Sequence, residues 1–164
     1  MKFSSKAKNL SSLKNLGLKK SKIPKFYKYS INEIDIDKKK IVKIIKKNLS
    51  KKISIRSSFF LEDKMSSSMA GEFDGLYNVK NNENQISKGI HNLIDQYKKK
   101  SKSKKVLSKS EIIFQNHISN SSLSGVITNK CIKDGTNYYV INYDDTSNLT
   151  NTVTSGGKSG GRVI

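Results

Sequence analysis

Ile55-Arg56-Ser57-Ser58-Phe59-Phe60-Leu61-Glu62-Asp63 joins an apolar run to a long polar loop, and Ser68-Met69-Ala70-Gly71 and then Asn78-Val79 follow it. The β-branched content of Ile53 to Arg56 predicts a short strand. Residues 57–75 hold Ser57, Ser58, Ser66, Ser67, Ser68, Gly71 and Gly75 with little periodicity, which predicts a long loop of small residues. Loops of that length are usually functional or disordered. An arginine at a strand's end, opening such a loop, has the parts that surround a polyphosphate: a guanidinium for charge, amides and hydroxyls for the oxygens. The loop could also close over a nucleotide and exclude water. An ordinary serine-rich surface loop, with Arg56 paired to Glu62 or Asp63, uses the same residues, and composition alone does not separate the two.

Toward the N-terminus, Ala7, Leu10, Leu13 and Leu16 recur at three-residue steps, so residues 4–17 predict a helix with Ser4 or Ser5 as cap and Gly17 as stop. Pro24 breaks the chain, and Phe26 to Ile31 reads as a strand. Residues 38–49 place Ile41, Ile44, Ile45 and Leu49 on one face and lysines on the other, a second amphipathic helix. Toward the C-terminus, Ile86, Ile90, Leu93, Ile94 and Tyr97 mark a third helix, and the Lys/Ser run of residues 98–105 predicts a flexible, solvated loop. Strand-like runs follow at Glu111–Gln115, Leu123–Asn129 and Asn137–Tyr143, the last two joined across Lys133-Asp134-Gly135-Thr136 as a hairpin. Residues 144–161 are polar and glycine-rich, and Arg162-Val163-Ile164 reads as a strand that has begun. This order of elements argues a mixed α+β fold with antiparallel hairpins.

The 164 residues allow one domain or a large piece of one. A net charge of +19 raises nucleic acid or an anionic membrane surface as a partner. Against that, Arg56 and Arg162 are the only arginines among 32 basic residues, and nucleic-acid sites favour arginine for its fork of donors and its stacking. The excess sits in residues 1–60, with 18 bases against 3 acids, and reads as solvated surface. Cys131 is the one cysteine, so no internal disulfide forms, which fits a reducing compartment. No window approaches the roughly 20 apolar residues of a membrane span, and a cytoplasmic protein is expected. Gly156-Gly157-Lys158-Ser159 fails as a phosphate loop because Thr152 stands where the first glycine is required. His91 on a helix and His117 just after a strand lack a paired nucleophile or ligand set and read as structural.

Three stretches carry a family resemblance. Arg56-Ser57-Ser58, Glu62-Asp63, Ser68-Met69-Ala70-Gly71 and Asn78-Val79 resemble, in register and without a gap, the Arg-Ser-Ser, Glu-Asp, Ser-x-Ala-Gly, Asn-Val series of the ATP-binding domain of phosphoenolpyruvate synthase and pyruvate phosphate dikinase. Lys6-Ala7-Lys8-Asn9-Leu10 with Ile23-Pro24-Lys25-Phe26 resembles the family's opening Lys-x-x-Asn-Leu helix and Pro-x-Phe turn, with Ser4-Ser5 in place of two glycines. Ile112-Ile113-Phe114-Gln115 and Ser124-Gly125-Val126-Ile127-Thr128 are similar to its Val-Gln and Ser-Gly-Val strands. Together these cover about residues 4–145.

The resemblance implies an ATP-grasp fold, in which two α+β lobes hold ATP between them. It puts Lys6 and Arg56 on the ATP phosphates, with Arg56 in the catalytic role, and Gln115 near the strand that meets the adenine. Ser57 and Ser58, with the Ser68, Ala70 and Gly71 loop, would wrap the phosphates. Lys and Arg neutralise charge that shifts during phosphoryl transfer. The reaction implied is ATP-dependent phosphorylation of a histidine and then of a pyruvate-like acceptor. Asp144-Asp145-Thr146-Ser147-Asn148 stands where the family shows Gly-Leu-Gly-Glu, and the late magnesium-binding acids, the closing Leu-Gln-x-Arg, the phosphohistidine motif and the substrate barrel are absent. Residues 1–164 are therefore expected to form a partial domain, incomplete at its C-terminal end, whose Mg2+ ligands lie outside the chain and whose other domains or a separate subunit complete the catalyst. A basic module that uses the lysines of residues 1–52 on nucleic acid or anionic lipid is the competing expectation, and it requires no such register.

Overall fold

A computed structural model describes residues 5–61, 63–64, 67–68, 72–131, 134–150, 153 and 162–163. The elements in chain order are α1 Lys6–Asn15, β1 Phe26–Ser30, α2 Ile31–Asn48, β2 Lys52–Ser58, β3 Asp63–Lys64, β4 Ser67–Ser68, β5 Leu76–Lys80, α3 Glu83–Lys100, α4 Lys104–Lys109, β6 Glu111–Asn116, β7 Ser124–Thr128, β8 Val140–Asp144 and β9 Arg162–Val163. Helices mix with antiparallel sheets, an α+β chain, and it divides into two compact units, Met1–His117 and Ile118–Ile164.

In the first unit a four-stranded sheet runs in the order β1-β6-β2-β5. Every neighbouring pair is antiparallel. Side chains alternate between faces, so the register assigns two distinct surfaces. Ile53, Ile55, Ile112 and Phe114 lie on one, where α2 and α3 cover them with Ile34, Ile41, Ile45, Ile86, Ile90, Leu93 and Tyr97. Each such isoleucine contributes about 1.5–3 kcal/mol by leaving water. Phe26 and Ile113 lie on the other, under Ala7 and Leu10 of α1 and Ile23. One face is thus fully covered by two long helices, and the second is capped by a single short one.

The termini of these helices follow local chemistry. Ser5 caps α1, its Oγ accepting from the Lys8 amide, and Gly17 follows the helix at φ +58, where a side chain would be strained. α2 begins earlier than its lysine-faced portion suggests, because Ser30 and Glu33 form a reciprocal capping box. The expected start survives inside it as a kink: Asp37 leaves helical geometry (φ -146, ψ 63) and its Oδ1 accepts from the Lys40 amide at 3.0 Å.

Three expectations need correction. Arg56 does not end its strand: β2 continues to Ser58, since β6 supplies paired backbone as far as Glu111. The loop over 57–75 holds a pair of short strands, with Asp63↔Ser68 and Lys64↔Ser67 in register. The Lys/Ser run of 98–105 is not one loop either. Lys98, Lys99 and Lys100 form the last turn of α3, whose carbonyl ends favour cations, and α4 starts at Lys104.

The second unit is built on a β7–β8 hairpin with Gly125↔Tyr143 and Ile127↔Ile141 paired, and β9 adds against β8 through Tyr143↔Arg162. Its turn is wider than an Asp-Gly hairpin: the strands stop at Thr128 and resume at Val140, with Gly135 at φ +73 and Asp134 Oδ1 accepting from the Thr136 amide and hydroxyl.

Candidate functional site

The β2–β6 register decides which expected site residues meet. Ser54↔Gln115, Arg56↔Ile113 and Ser58↔Glu111 are cross-strand pairs on the face that carries α1. Lys28 joins them from β1, opposite Ile113. Ser57 pairs with Ile112 and so stands on the opposite, helix-covered face, where it is buried. Two neighbouring serines that the resemblance treats together are thereby separated by the sheet.

Arg56 is exposed. It lies beside a close approach: a Cβ on Gly75 would sit 2.6 Å from the Ile55 carbonyl oxygen and 3.5 Å from Arg56 Cα, so only glycine lets the chain entering β5 press against β2 there. Lys6 opens α1, and the next residue's amide donates to Ser58 Oγ at 3.1 Å. The helix's positive end therefore arrives at the Ser58 end of the face, and no acidic residue occupies its first turn. Glu111, the nearby carboxylate, is engaged by Lys28 Nζ at 2.8 Å and by Ser5 Oγ at 3.3 Å. Lys6 and the α1 N-terminus are thus brought to the end of β2 that carries Arg56, beside the Lys28–Glu111 pair.

The other end of the face is polar and neutral. Gln115 is buried opposite Ser54. The ladder continues one step past β6, with the His117 amide donating to the Lys52 carbonyl at 3.1 Å, so His117 shares the face of Gln115. Ser54 Oγ and His117 Nδ1 are 2.9 Å apart. Burial, and then the charge of Lys52, hold the His117 imidazole below its usual range and favour the neutral ring. From Ser58 to Ser54 is four residues, roughly 13 Å of strand at ~3.3 Å per residue. That span separates the charged end from the uncharged end.

Of the remaining expected residues, Ser68 lies in β4, and Ala70 and Gly71 lie outside the described residues, as does Gly156-Gly157-Lys158-Ser159. Two participants escaped sequence reasoning. The Ser54–His117 pair was signalled by period two, since Ser54, Arg56 and Ser58, like Gln115 and His117, stand two apart. Tyr97, which supports Ser58 from the covered face, carried no signal beyond its place on an apolar helix stripe. His91 Nε2 lies 3.2 Å from Asp95 Oδ2, one helical turn along α3, and both side chains are exposed. Both border a groove between α2 and α3 whose lining also includes Asp35, Lys38 and Lys98. Mixed charge there suits a polyanion poorly, and the sheet separates it from Arg56.

Among the described residues no three of His, Cys, Asp or Glu are grouped to hold a metal ion. Glu111 is committed as above, and Asp144 is turned onto its own loop, accepting from the amides of Thr146 and Ser147 and from both hydroxyls. Among the described residues no helix is long and apolar enough to cross a membrane.

In comparison with known families, residues 7–148 match the pyruvate phosphate dikinase AMP/ATP-binding domain, a span that contains Arg56, Gln115, the whole four-stranded sheet and the β7–β8 hairpin, and that begins one residue after Lys6. Among curated proteins and solved structures nothing matches.

Proposed function

The chain belongs to the pyruvate phosphate dikinase AMP/ATP-binding domain family, and from that premise we propose that the α1-bearing face of the β1-β6-β2-β5 sheet binds ATP. The phosphates lie at Lys6 and Arg56, and the adenosine lies toward Gln115. The observation that carries this reading is the register: it brings Arg56 and Gln115 onto one face, charged at one end and neutral at the other. Lys6 and Arg56 supply positive charge where negative charge builds and moves during phosphoryl transfer. The family resemblance assigns Ser68, Ala70 and Gly71 to the phosphates as well. The fold is ATP-grasp-like, and the domain supplies the ATP end of a kinase-type phosphotransferase that acts in the cytoplasm. Phosphorylation of a histidine, and then of a pyruvate-like acceptor, belongs to further domains or a separate subunit.

Among the described residues no three of His, Cys, Asp or Glu group together, and Glu111, the carboxylate at this face, is engaged by Lys28 and Ser5. Magnesium ligands are therefore assigned to residues other than these, and no step is derived through the ion.

Titrating the protein with ATP, with adenosine as the control ligand, tests the reading. Arg56→Ala should lower ATP affinity about 10- to 150-fold, the equivalent of roughly 1.5–3 kcal/mol for a charged hydrogen bond. Adenosine affinity should stay within about twofold. An Arg56→Ala protein that binds ATP as the parent does removes this site from consideration.

A further inference from the structure

Ser58 was expected to meet phosphate through its hydroxyl, yet it is 1% exposed and that hydroxyl accepts from the amide of Ala7. Its own amide donates to the Tyr97 hydroxyl at 2.9 Å, and the same hydroxyl donates to the Glu111 carbonyl at 2.9 Å. Tyr97 is itself fully buried and packed against Phe59 and Phe73, with ring centroids at 5.0 and 5.2 Å. Ser58 and Glu111 are cross-strand partners. One of them binds Ala7, and the other accepts from Ser5 through its carboxylate. The two residues that flank Lys6 are thus gripped by a single pair at the end of β2 and β6, two positions along the strand from Arg56.

We infer that Ser58 and Glu111 are positioning residues that fix the spacing between Lys6 and Arg56, and that this spacing sets the preference for a triphosphate over a monophosphate. The inference rests on the ATP-binding reading above. A monophosphate is short enough to be satisfied by one cation. A triphosphate spans both, so its affinity depends on how accurately the two are held apart. The clamp uses a hydroxyl and a carboxylate that never touch the ligand.

The measurement is the ratio of AMP to ATP dissociation constants, with adenosine as a third ligand, for the full chain and for Ser58→Ala, Glu111→Ala and Ser5→Ala. Each variant is expected to reduce the ATP preference at least fivefold while leaving adenosine affinity within twofold, and Ser58→Thr, which keeps the hydroxyl, should restore most of it. General loss of structure would lower all three affinities together. Ser5→Ala changes only a half-buried cap residue, so it reports even if the sheet variants fold poorly. An unchanged AMP/ATP ratio in Ser5→Ala and Ser58→Ala, with Arg56→Ala still impaired for ATP, overturns the clamp and leaves the site standing. If Arg56→Ala is also silent, the site and the clamp fall together.

Discussion

Replacing Tyr97 by Phe removes one oxygen atom from a fully buried position, and the structure allows the cost to be worked out. The ring stays where it is, at 5.0 Å from Phe59 and 5.2 Å from Phe73, so hydrophobic contact is nearly unchanged. The Ser58 amide loses its acceptor in a place that is 1% exposed, where water does not readily replace it. A buried, unsatisfied donor costs about 1–3 kcal/mol. The Glu111 carbonyl also loses a donor, a smaller effect because a carbonyl has two lone pairs. We expect a net destabilisation of about 2 kcal/mol, which for a chain of this length lowers the melting temperature by about 4–8 °C. Urea titration followed by circular dichroism should show the midpoint moving with an unchanged slope, the sign of altered stability rather than altered unfolded-state compactness. Tyr97→Ala, which also deletes the ring, should cost about 3–5 kcal/mol. A Tyr97→Phe change smaller than about 0.5 kcal/mol would mean that the hydroxyl is not an obligatory partner of Ser58, and the account of how α3 supports the site would have to be abandoned.

Gly75→Ala should destabilise the first unit by about 1–3 kcal/mol, because the new methyl group meets the Ile55 carbonyl, which is backbone and cannot swing away; hydrogen exchange along Leu76–Lys80 should quicken, and an equally stable variant contradicts the close approach. His117 is held below its usual range, so the unfolded chain binds its proton first as pH falls, and stability should rise with pH from the folded value up to about 6.5. His117→Asn should flatten that slope in acid denaturation curves, and an unaltered slope assigns it to other groups. Exchanging Lys38, Lys39, Lys40, Lys46 and Lys47 for Gln should leave ATP affinity within twofold, since these side chains lie on the helix layer across the sheet from Arg56 and salt screens exposed charge over ~8 Å. Tight DNA binding with a steep salt slope that these changes flatten would favour the basic-module expectation instead.

Sequence periodicity located what depends on near neighbours. Ile86, Ile90, Leu93 and Tyr97 recur at helical spacing, and all are buried in α3. The start of α2 was hidden because Tyr29-Ser30-Ile31 continues a β-like run, although Ser30 and Glu33 spell a capping box three residues apart. Two-residue strands such as β3 and β4 have no period to detect. At the site, the separation of Ser57 from Ser58 was implicit in parity once Ile53 and Ile55 were assigned to the core. The role of Ser58 was not, because the amide it holds is 51 positions away, and no local pattern encodes where α1 docks. The strand order was equally illegible, since every neighbour of β6 is a strand made long before it.

That order has a consequence in time. β1 and β2 are consecutive strands of the sheet's first half, yet they are not neighbours: β6 fills the slot between them, bonded to both. With strands ~4.8 Å apart, β1 and β2 stand about 10 Å from each other, too far to pair. A ribosome adding roughly 5–20 residues per second completes both strands and both long helices before it reaches Glu111. Until then the nascent chain holds two strand edges facing an empty slot, with Ile53 and Ile55 lacking their Phe114 and Ile112 neighbours. β2 and β5 can pair once Lys80 has been made, but β1 has no bonded neighbour until residues 111–116 arrive, so the last strand of this unit to be synthesised is the one that joins its two halves.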